Sequence, residues 1–181
     1  MEIDADAPAR PHVVLVGMMG SGKSSVARRL AKRTARRAVD VDAEIERAAG
    51  CTISQLFADH GEEAFRERES AMLASVLATN EPLVVATGGG VVLRSTNRRL
   101  LRERGRVVWL RAQPATLLQR VGDGSSRPLL SGDPLANLTR IADERRALYE
   151  AAAHEVVDVD GLSFDAITDR VLVAAGLGVS S

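Results

Sequence analysis

The sequence predicts an α/β protein built around a five-stranded parallel sheet with helices on both faces. Two observations support this fold class. Short apolar runs alternate along the chain with longer amphipathic segments, a pattern typical of repeated strand–helix units. The apolar runs are also nearly continuous instead of alternating with polar residues, which is expected of strands that are buried on both sides.

The 181 residues fit a single domain over 1–181, in which we expect residues 1–11 and 177–181 to be flexible tails. The apolar runs predict strands over Val13–Val16, Ala38–Val41, Leu83–Ala86, Val107–Leu110 and Glu155–Asp158. The amphipathic segments predict helices over Ser24–Thr34, Ala43–Ala49, Glu62–Leu77, Thr96–Arg104, Pro114–Val121, Pro134–Ala153 and Phe164–Ala175.

One polar stretch interrupts this order. Residues 122–134, GDGSSRPLLSGDP, are rich in Gly, Ser, Asp and Pro. The stretch is longer than a routine connection between elements, so we predict a mobile lid there. A disordered loop without function is the alternative, and the arginine inside the stretch, Arg127, favours the lid.

Composition excludes several classes of partner. The formal net charge is zero, whereas a nucleic-acid partner would require a basic face. No apolar run approaches the ~18 residues of a membrane span. The chain has a single cysteine, Cys51, so it forms no internal disulfide, and its first residues lack the apolar segment of a signal peptide. We therefore expect a cytoplasmic protein, acting as a monomer, with neither a nucleic-acid nor a membrane partner.

The strongest motif is a glycine-rich loop between the first predicted strand and helix. Residues 17–24, GMMGSGKS, fit the pattern G-x-x-x-x-G-K-[ST]. Glycines let backbone N–H groups turn towards phosphate oxygens, and the helix start presents further unpaired N–H groups to the same anion. The nucleotide-binding candidates are Gly20, Ser21, Gly22, Lys23, Ser24 and Ser25. Such a loop predicts nucleoside triphosphate binding, but it does not identify the acceptor.

Two side chains of this loop have distinct chemistry. Lys23 would place its charge against the β- and γ-phosphates, and the hydroxyl of Ser24 is a hard oxygen ligand suited to Mg²⁺. The assignment of Lys23 to phosphate binding is strengthened because the sequence has only two lysines among its 24 basic residues. The expected co-substrate is therefore a nucleoside triphosphate, with Mg²⁺ as the cofactor.

A pair of carboxylates follows the second predicted strand. Asp40 and Asp42 stand at its carboxyl end, the edge of an open α/β sheet that faces the ligand crevice. Strand alternation predicts that both side chains point the same way, towards the bound phosphates. In the alternative interpretation, Asp42 only caps the helix that follows.

Four segments together resemble the shikimate kinase family. They are residues 39–46 (VDVDAEIE), Phe65-Arg66-x-x-Glu69, Thr87-Gly88-Gly89-Gly90, and Arg127-Pro128-Leu129 followed by Arg145-x-x-Leu148-Tyr149. The likeness extends over roughly residues 12–175. It implies the P-loop kinase fold, and an enzyme that transfers the γ-phosphate of Mg-ATP to the 3-hydroxyl of shikimate, giving shikimate 3-phosphate and ADP.

The resemblance also implies roles for residues on the acceptor side. It implies that Asp40 binds Mg²⁺ and that Asp42 binds the shikimate hydroxyls, where Asp42 could accept the proton of the attacking hydroxyl. It places shikimate against Gly88, Gly89 and Gly90. The expected catalytic residues are Lys23, Asp42 and Arg127.

Arginines are expected at both ends of the acceptor site. Arg66 and Arg145 resemble the two residues that hold the shikimate carboxylate, since a guanidinium fork matches a carboxylate with two parallel hydrogen bonds. The family usually has proline where this chain has Ala147, so Arg146 is the alternative to Arg145. Arg127 resembles the lid arginine that closes over the ATP phosphates and neutralises charge during transfer.

Two other functions fit parts of this pattern. A related small-molecule kinase such as gluconate kinase would also bind a carboxylate-bearing acceptor. A nucleotide-binding module without turnover would be indicated by loss of Lys23, Asp42 or Arg127, and the sequence retains all three.

Overall fold

The computed structural model describes residues 12–121 and 132–177. Its centre is a five-stranded sheet in the order β2-β3-β1-β4-β5, in which every pair of neighbours is parallel. The strands are β1 (His12–Val16), β2 (Arg37–Asp40), β3 (Leu83–Ala86), β4 (Gly105–Arg111) and β5 (Glu155–Asp158). The predicted fold class, a parallel α/β sheet with helices on both faces, is confirmed.

Seven α-helices and one short 3₁₀ turn (Val91–Leu93) connect the strands in the described part of the chain. The helices are α1 (Lys23–Thr34), α2 (Val41–Ala49), α3 (Ile53–Leu77), α4 (Ser95–Arg104), α5 (Pro114–Val121), α6 (Pro134–Ala152) and α7 (Phe164–Ala174). None of them is long and apolar enough to cross a membrane.

The sheet separates two hydrophobic cores. Along β1, Val14 and Val16 point into the core beneath α3, α4 and α6, whereas Val13 and Leu15 point into the core beneath α1 and α7. All four side chains are at most 2% exposed. Burial on both sides explains why the central strands are continuous apolar runs, as the sequence predicted.

The second strand ends one residue earlier than predicted, and this changes the position of Asp42. Pairing with β3 ends at Asp40, whose side chain accepts hydrogen bonds from the N–H groups of Asp42 (3.1 Å) and Ala43 (3.3 Å). This cap starts α2 at Val41, two residues before the predicted start. The prediction from strand alternation was therefore wrong: Asp42 lies in the first turn of a helix, and Asp40, not Asp42, is its cap.

The first part of α3 was missed by the sequence analysis, which began this helix at Glu62. The helix begins at Ile53 and is divided by a non-helical residue, Gly61 (φ 79°, ψ 173°). Its start has a reciprocal cap, in which the Thr52 hydroxyl accepts from the N–H of Gln55 (3.2 Å) and the Gln55 side chain accepts from the N–H of Thr52 (2.8 Å). The spacing T-x-x-Q is a known start signal and could have revealed the helix.

The other boundaries lie within two residues of the prediction, as is usual for element ends. Most of the predicted lid, including Arg127, and nearly all of the predicted tails lie outside the described residues. Asp133 caps α6 by accepting from the N–H of Ala136 (3.0 Å), which places the helix start at Pro134 as predicted.

Candidate active site

The predicted site segments meet at one edge of the sheet. The glycine-rich loop follows the central strand β1, Asp40 ends β2, and the glycines Gly88–Gly90 follow β3. These three strands are neighbours in the order β2-β3-β1, so their carboxyl ends lie side by side. A crevice outside the carboxyl ends of parallel strands is where open α/β sheets bind ligands.

The glycine-rich loop closes around the lysine side chain. Lys23 is only 8% exposed, and its ammonium donates to the carbonyl oxygens of Gly17 and Met18, both at 2.8 Å. Gly20 (φ 79°) and Gly22 (φ 98°) have left-handed backbones, which side-chain-bearing residues rarely adopt. The loop thus holds a buried positive charge beside the first turn of α1, a suitable arrangement for binding phosphate.

The remaining loop candidates lie where the sequence placed them. Ser21 and Gly22 precede α1, and Ser24 and Ser25 are in its first turn. The hydroxyl of Ser24 donates a short hydrogen bond to the Asp40 carboxylate. The two predicted metal ligands are therefore adjacent, although they are 16 positions apart in the sequence.

This donor set fits Mg²⁺. Serine hydroxyl and aspartate carboxylate oxygens are the hard ligands that Mg²⁺ prefers. No group of three or more His, Cys, Asp or Glu that could hold a metal occurs among the described residues. An ion at Ser24 and Asp40 would therefore complete its shell with water and nucleotide oxygens, as Mg²⁺ usually does in nucleotide sites.

Two carboxylates approach the backbone of Gly88. A Cβ built on Gly88 would lie 2.7 Å from Glu69 Oε1 and 2.8 Å from Asp42 Oδ1. Both oxygens are buried and have no hydrogen-bond partner within the described residues. Position 88 must therefore be glycine for these carboxylates to stand so close, and together they form an acceptor pair suited to hydroxyl donors.

The environment of Asp42 alters its protonation. Burial, followed by the negative charges of Glu69 and Asp40, raises the pKa of Asp42 to about 6, while the charge of Lys23 opposes the rise. Burial also raises the pKa of Glu69, and the charge of Arg66 opposes this second shift. A carboxylate with a pKa of about 6 remains ionised at neutral pH and is more basic than an ordinary aspartate.

Arg66 lies beneath the last glycine of the triplet. Its guanidinium donates to Glu69 Oε2 at 2.7 Å, and the side chain of Glu69 is 1% exposed. On another edge of the guanidinium, Nη2 and Nε donate to the exposed Glu62 at 3.3 and 3.4 Å. Glu69 thus fixes the arginine while its second oxygen faces Gly88, a role that sequence reasoning did not assign to it.

Arg145 reaches the triplet from α6. Its Nη1 donates to the carbonyl oxygen of Gly89 at 3.1 Å. Arg146 instead pairs with Asp143 on the exposed side of the same helix. The structure thus brings together Asp42, Arg66, Arg145 and the three glycines, and it turns Arg146 away from them.

The triplet also adjoins the nucleotide loop. A Cβ built on Gly89 would lie 3.5 Å from the backbone nitrogen of Met19 and 3.6 Å from the carbonyl oxygen of Gly17. Residues predicted to bind the acceptor are therefore next to those predicted to bind the phosphates. The sequence analysis missed Arg120, which donates from α5 to the carbonyl oxygens of Ser21 (3.2 Å) and Val159 (3.2 Å) and so joins the loop to the segment after β5.

Known proteins resemble this chain over most of its length. The sequence model of the family described as shikimate kinase matches residues 19–175. A shikimate kinase from Symbiobacterium thermophilum is 46% identical over 164 residues, which are 89% of this chain and 94% of the relative. The resemblance stated from the sequence is thereby confirmed.

Solved structures give the same result. A shikimate kinase from Acinetobacter baumannii, in complex with shikimate, has a TM-score of 0.86 and 36% identity, covering 91% of this chain and 92% of that one. A gluconokinase from Sinorhizobium meliloti has a TM-score of 0.57 at 20% identity, with 92% and 93% of the two chains covered, and so shares the fold alone. From the family match and the 46% identity, we conclude that this chain belongs to the shikimate kinase family.

Proposed function

We propose that this chain transfers the γ-phosphate of Mg-ATP to the 3-hydroxyl of shikimate, giving shikimate 3-phosphate and ADP. The observation that carries the proposal is the set of side chains gathered at Gly88–Gly90: two carboxylates against Gly88, one guanidinium group against Gly90 and a second on the Gly89 carbonyl. Shikimate is a ring acid with hydroxyls and one carboxylate, and its groups match this arrangement of acceptors and cations.

The nucleotide binds at the loop that encloses Lys23. Backbone N–H groups of Gly20 and Gly22 and the start of α1 bind the phosphates, while Ser21 holds the loop closed through its N–H bond to the Met18 carbonyl oxygen (3.2 Å). Lys23 neutralises the β- and γ-phosphate oxygens. Buried contacts to two loop carbonyls hold the ammonium in place beforehand, so little reorganisation is required during transfer. Ser24 and Asp40 would hold Mg²⁺, which screens the charge of the phosphates.

The acceptor lies between Asp42 and the two arginines. Arg66 and Arg145 bind the carboxylate, which orients the ring, and Gly88, Gly89 and Gly90 allow its close approach. Asp42 accepts the proton of the attacking hydroxyl as the oxygen bonds to the γ-phosphorus and the bond to the β-phosphate oxygen breaks. Its raised pKa, to about 6, supports this role because it makes the carboxylate a better base while leaving it ionised at pH 7.

The proposed lid contributes the remaining catalytic residue, Arg127. Arg127, in the segment 122–134, closes over the phosphates and stabilises the charge that develops during transfer, while closure excludes water as a competing acceptor. This assignment is based on the sequence pattern, because Arg127 lies outside the described residues. The protein acts in the cytoplasm, in keeping with its single cysteine, and as a monomer.

The proposal is tested by measuring ADP release from ATP with shikimate, with gluconate and with no acceptor. We expect release to depend on shikimate and to be slow with gluconate or without an acceptor. Arg66→Lys keeps the charge but loses the fork, so it should raise the shikimate KM and leave the ATP KM nearly unchanged. Faster release with gluconate, or release independent of any acceptor, would refute the proposal.

A further inference from the structure

Tyr149 makes a buried contact with the glycine triplet. It is 1% exposed, its ring stacks on Trp109 with centroids 5.4 Å apart, and its hydroxyl donates to the carbonyl oxygen of Gly89 at 2.6 Å. Burial raises the pKa of Tyr149 to about 12, so the hydroxyl remains a protonated donor at any physiological pH. The contact joins α6 to the loop after β3 across 60 positions of sequence.

The Gly89 oxygen has a second donor on the same helix. Arg145, one turn before Tyr149, donates to it from Nη1 at 3.1 Å. A carbonyl oxygen has two lone pairs, and these two donors use both of them. Because the peptide unit is planar, fixing the oxygen of Gly89 also fixes the opposite direction of the N–H of Gly90.

A run of three glycines needs such an external restraint. Glycine has the widest backbone freedom of any residue, and although the carbonyl oxygens of Gly88 and Gly90 accept from the N–H groups of Val91 (3.2 Å) and Leu93 (3.0 Å), the Gly89 carbonyl is held by side chains of α6. Arg145 can serve as the restraint only in part, because in the proposed function it also binds the substrate carboxylate. Tyr149 is not among the groups proposed to bind the substrate, and the stacking of its ring on Trp109 limits its movement.

We propose that Tyr149 is a positioning residue for shikimate: its hydroxyl holds the Gly89–Gly90 peptide in the orientation against which the substrate binds. The inference rests on the proposed function, since it requires shikimate to lie against the triplet. Tyr149 acts through the peptide and need not touch the substrate. Its loss should therefore weaken shikimate binding more than it slows phosphate transfer.

The principal test is Tyr149→Phe, which removes the hydroxyl and keeps the ring. We expect the shikimate KM to rise about five- to tenfold, the effect of one net hydrogen bond. The ATP KM and kcat should stay within about twofold of the parent. An unchanged shikimate KM, or a loss confined to kcat, would overturn the proposal.

Thr87→Val is a matched control in the same segment. The Thr87 hydroxyl is buried and donates to the carbonyl oxygen of Leu15 at 2.9 Å, so its removal also costs one buried hydrogen bond. It anchors the start of the segment to β1 and leaves the Gly89 oxygen untouched. The control should lower the melting temperature without raising the shikimate KM. An equal rise in KM for both variants would mean general loosening and would overturn the specific role of Tyr149.

A second measurement exploits the fact that the sequence contains one tyrosine. Biosynthetic replacement by 3-fluorotyrosine labels position 149 alone and retains both ring and hydroxyl. The labelled enzyme should keep the parent KM, and its single ¹⁹F resonance should shift on saturation with shikimate. A resonance that does not move contradicts the positioning role, even if Tyr149→Phe fails to fold. A parent without shikimate-dependent ADP release would instead refute the proposed function, and the positioning role with it.

Discussion

The guanidinium of Arg66 packs directly against the Cα of Gly90. A Cβ built on Gly90 would lie 2.2 Å from Nη1 and 2.4 Å from Nη2 of the arginine, far inside van der Waals contact. The backbone of Gly90 is ordinary (φ −96°, ψ 1°), so glycine is required here for space and not for conformation. The triplet is thus shaped by the charged side chains that surround it.

This contact predicts a graded response to alanine substitution along the triplet. Gly90→Ala would displace Arg66, and Gly88→Ala would displace the Asp42–Glu69 pair, so each should raise the shikimate KM at least about tenfold. Gly89→Ala should cause the smallest loss, because its nearest neighbours would be 3.5 Å or more away. Steady-state curves on the three variants give the order, and the greatest loss at position 89 would contradict this packing.

The two lysines of the chain provide a matched pair of variants. Lys23→Ala should lower kcat by about a hundredfold or more, the scale of losing a group that stabilises transition-state charge. Lys32→Ala removes the exposed lysine from the last turn of α1 and should leave activity unchanged. A melting curve checks that the Lys23 variant is folded. Near-normal turnover by a folded Lys23→Ala protein would contradict the proposal that the glycine-rich loop binds the phosphates.

The raised pKa of Asp42 has a consequence for stability. Between the unfolded value of 3.8 and the folded value of about 6, the folded protein binds more protons than the unfolded chain, so stability falls as pH rises through this window. Asp42→Asn removes the buried charge. In metal-free protein it should therefore stabilise the fold, relative to the parent, more at pH 8 than at pH 5, with a difference in unfolding free energy of about 1.4 kcal/mol that appears as a larger gain in melting temperature at pH 8.

Thermal melts of both proteins in chelator at the two pH values provide this comparison. A difference between variant and parent that is the same at pH 5 and pH 8 would show that the carboxyl of Asp42 titrates normally. The Asn variant should also lose most of its turnover, because it retains the shape of Asp42 without a base.

Variants of two arginines distinguish the role of the proposed lid from the role of the acceptor site. Arg127→Ala should lower kcat by about a hundredfold or more while shikimate binding without ATP stays nearly unchanged, because the lid contributes mainly in the transition state. Arg145→Ala should weaken shikimate binding even without nucleotide. Binding titrations and steady-state curves on both variants decide the matter. If the two variants behave alike, the division into phosphate lid and carboxylate site is wrong.

The parts of this structure that sequence predicts best are those set by local pattern. The five strands and the glycine-rich loop follow from continuous apolar runs and a spaced motif; the loop lies where the sequence placed it, and each strand lies within two residues of its predicted bounds. Asp42 was placed at the carboxyl end of a strand because apolar alternation cannot reveal that Asp40 caps a helix whose start lies two residues before the predicted one. A local cap overrode the strand pattern.

The contacts that shape the acceptor site are not local. Tyr149 and Gly89 are 60 positions apart, and their hydrogen bond depends on how α6 packs over the sheet. The second oxygen of Glu69 meets Gly88 only because α3 packs against the segment that follows β3. The i,i+3 spacing of Arg66 and Glu69 could have indicated their ion pair. It could not have indicated that the carboxylates of Glu69 and Asp42 both lie against Gly88.

The identity of the product tests the central claim most directly. The parent enzyme should be incubated with Mg-ATP and shikimate, and the mixture followed by ³¹P NMR with phosphorus–proton correlation. We predict one new phosphate monoester, coupled to the proton on carbon 3 of shikimate and formed in equal amount with ADP. Formation of ADP with inorganic phosphate and no shikimate ester, or an ester at another hydroxyl, would contradict the account.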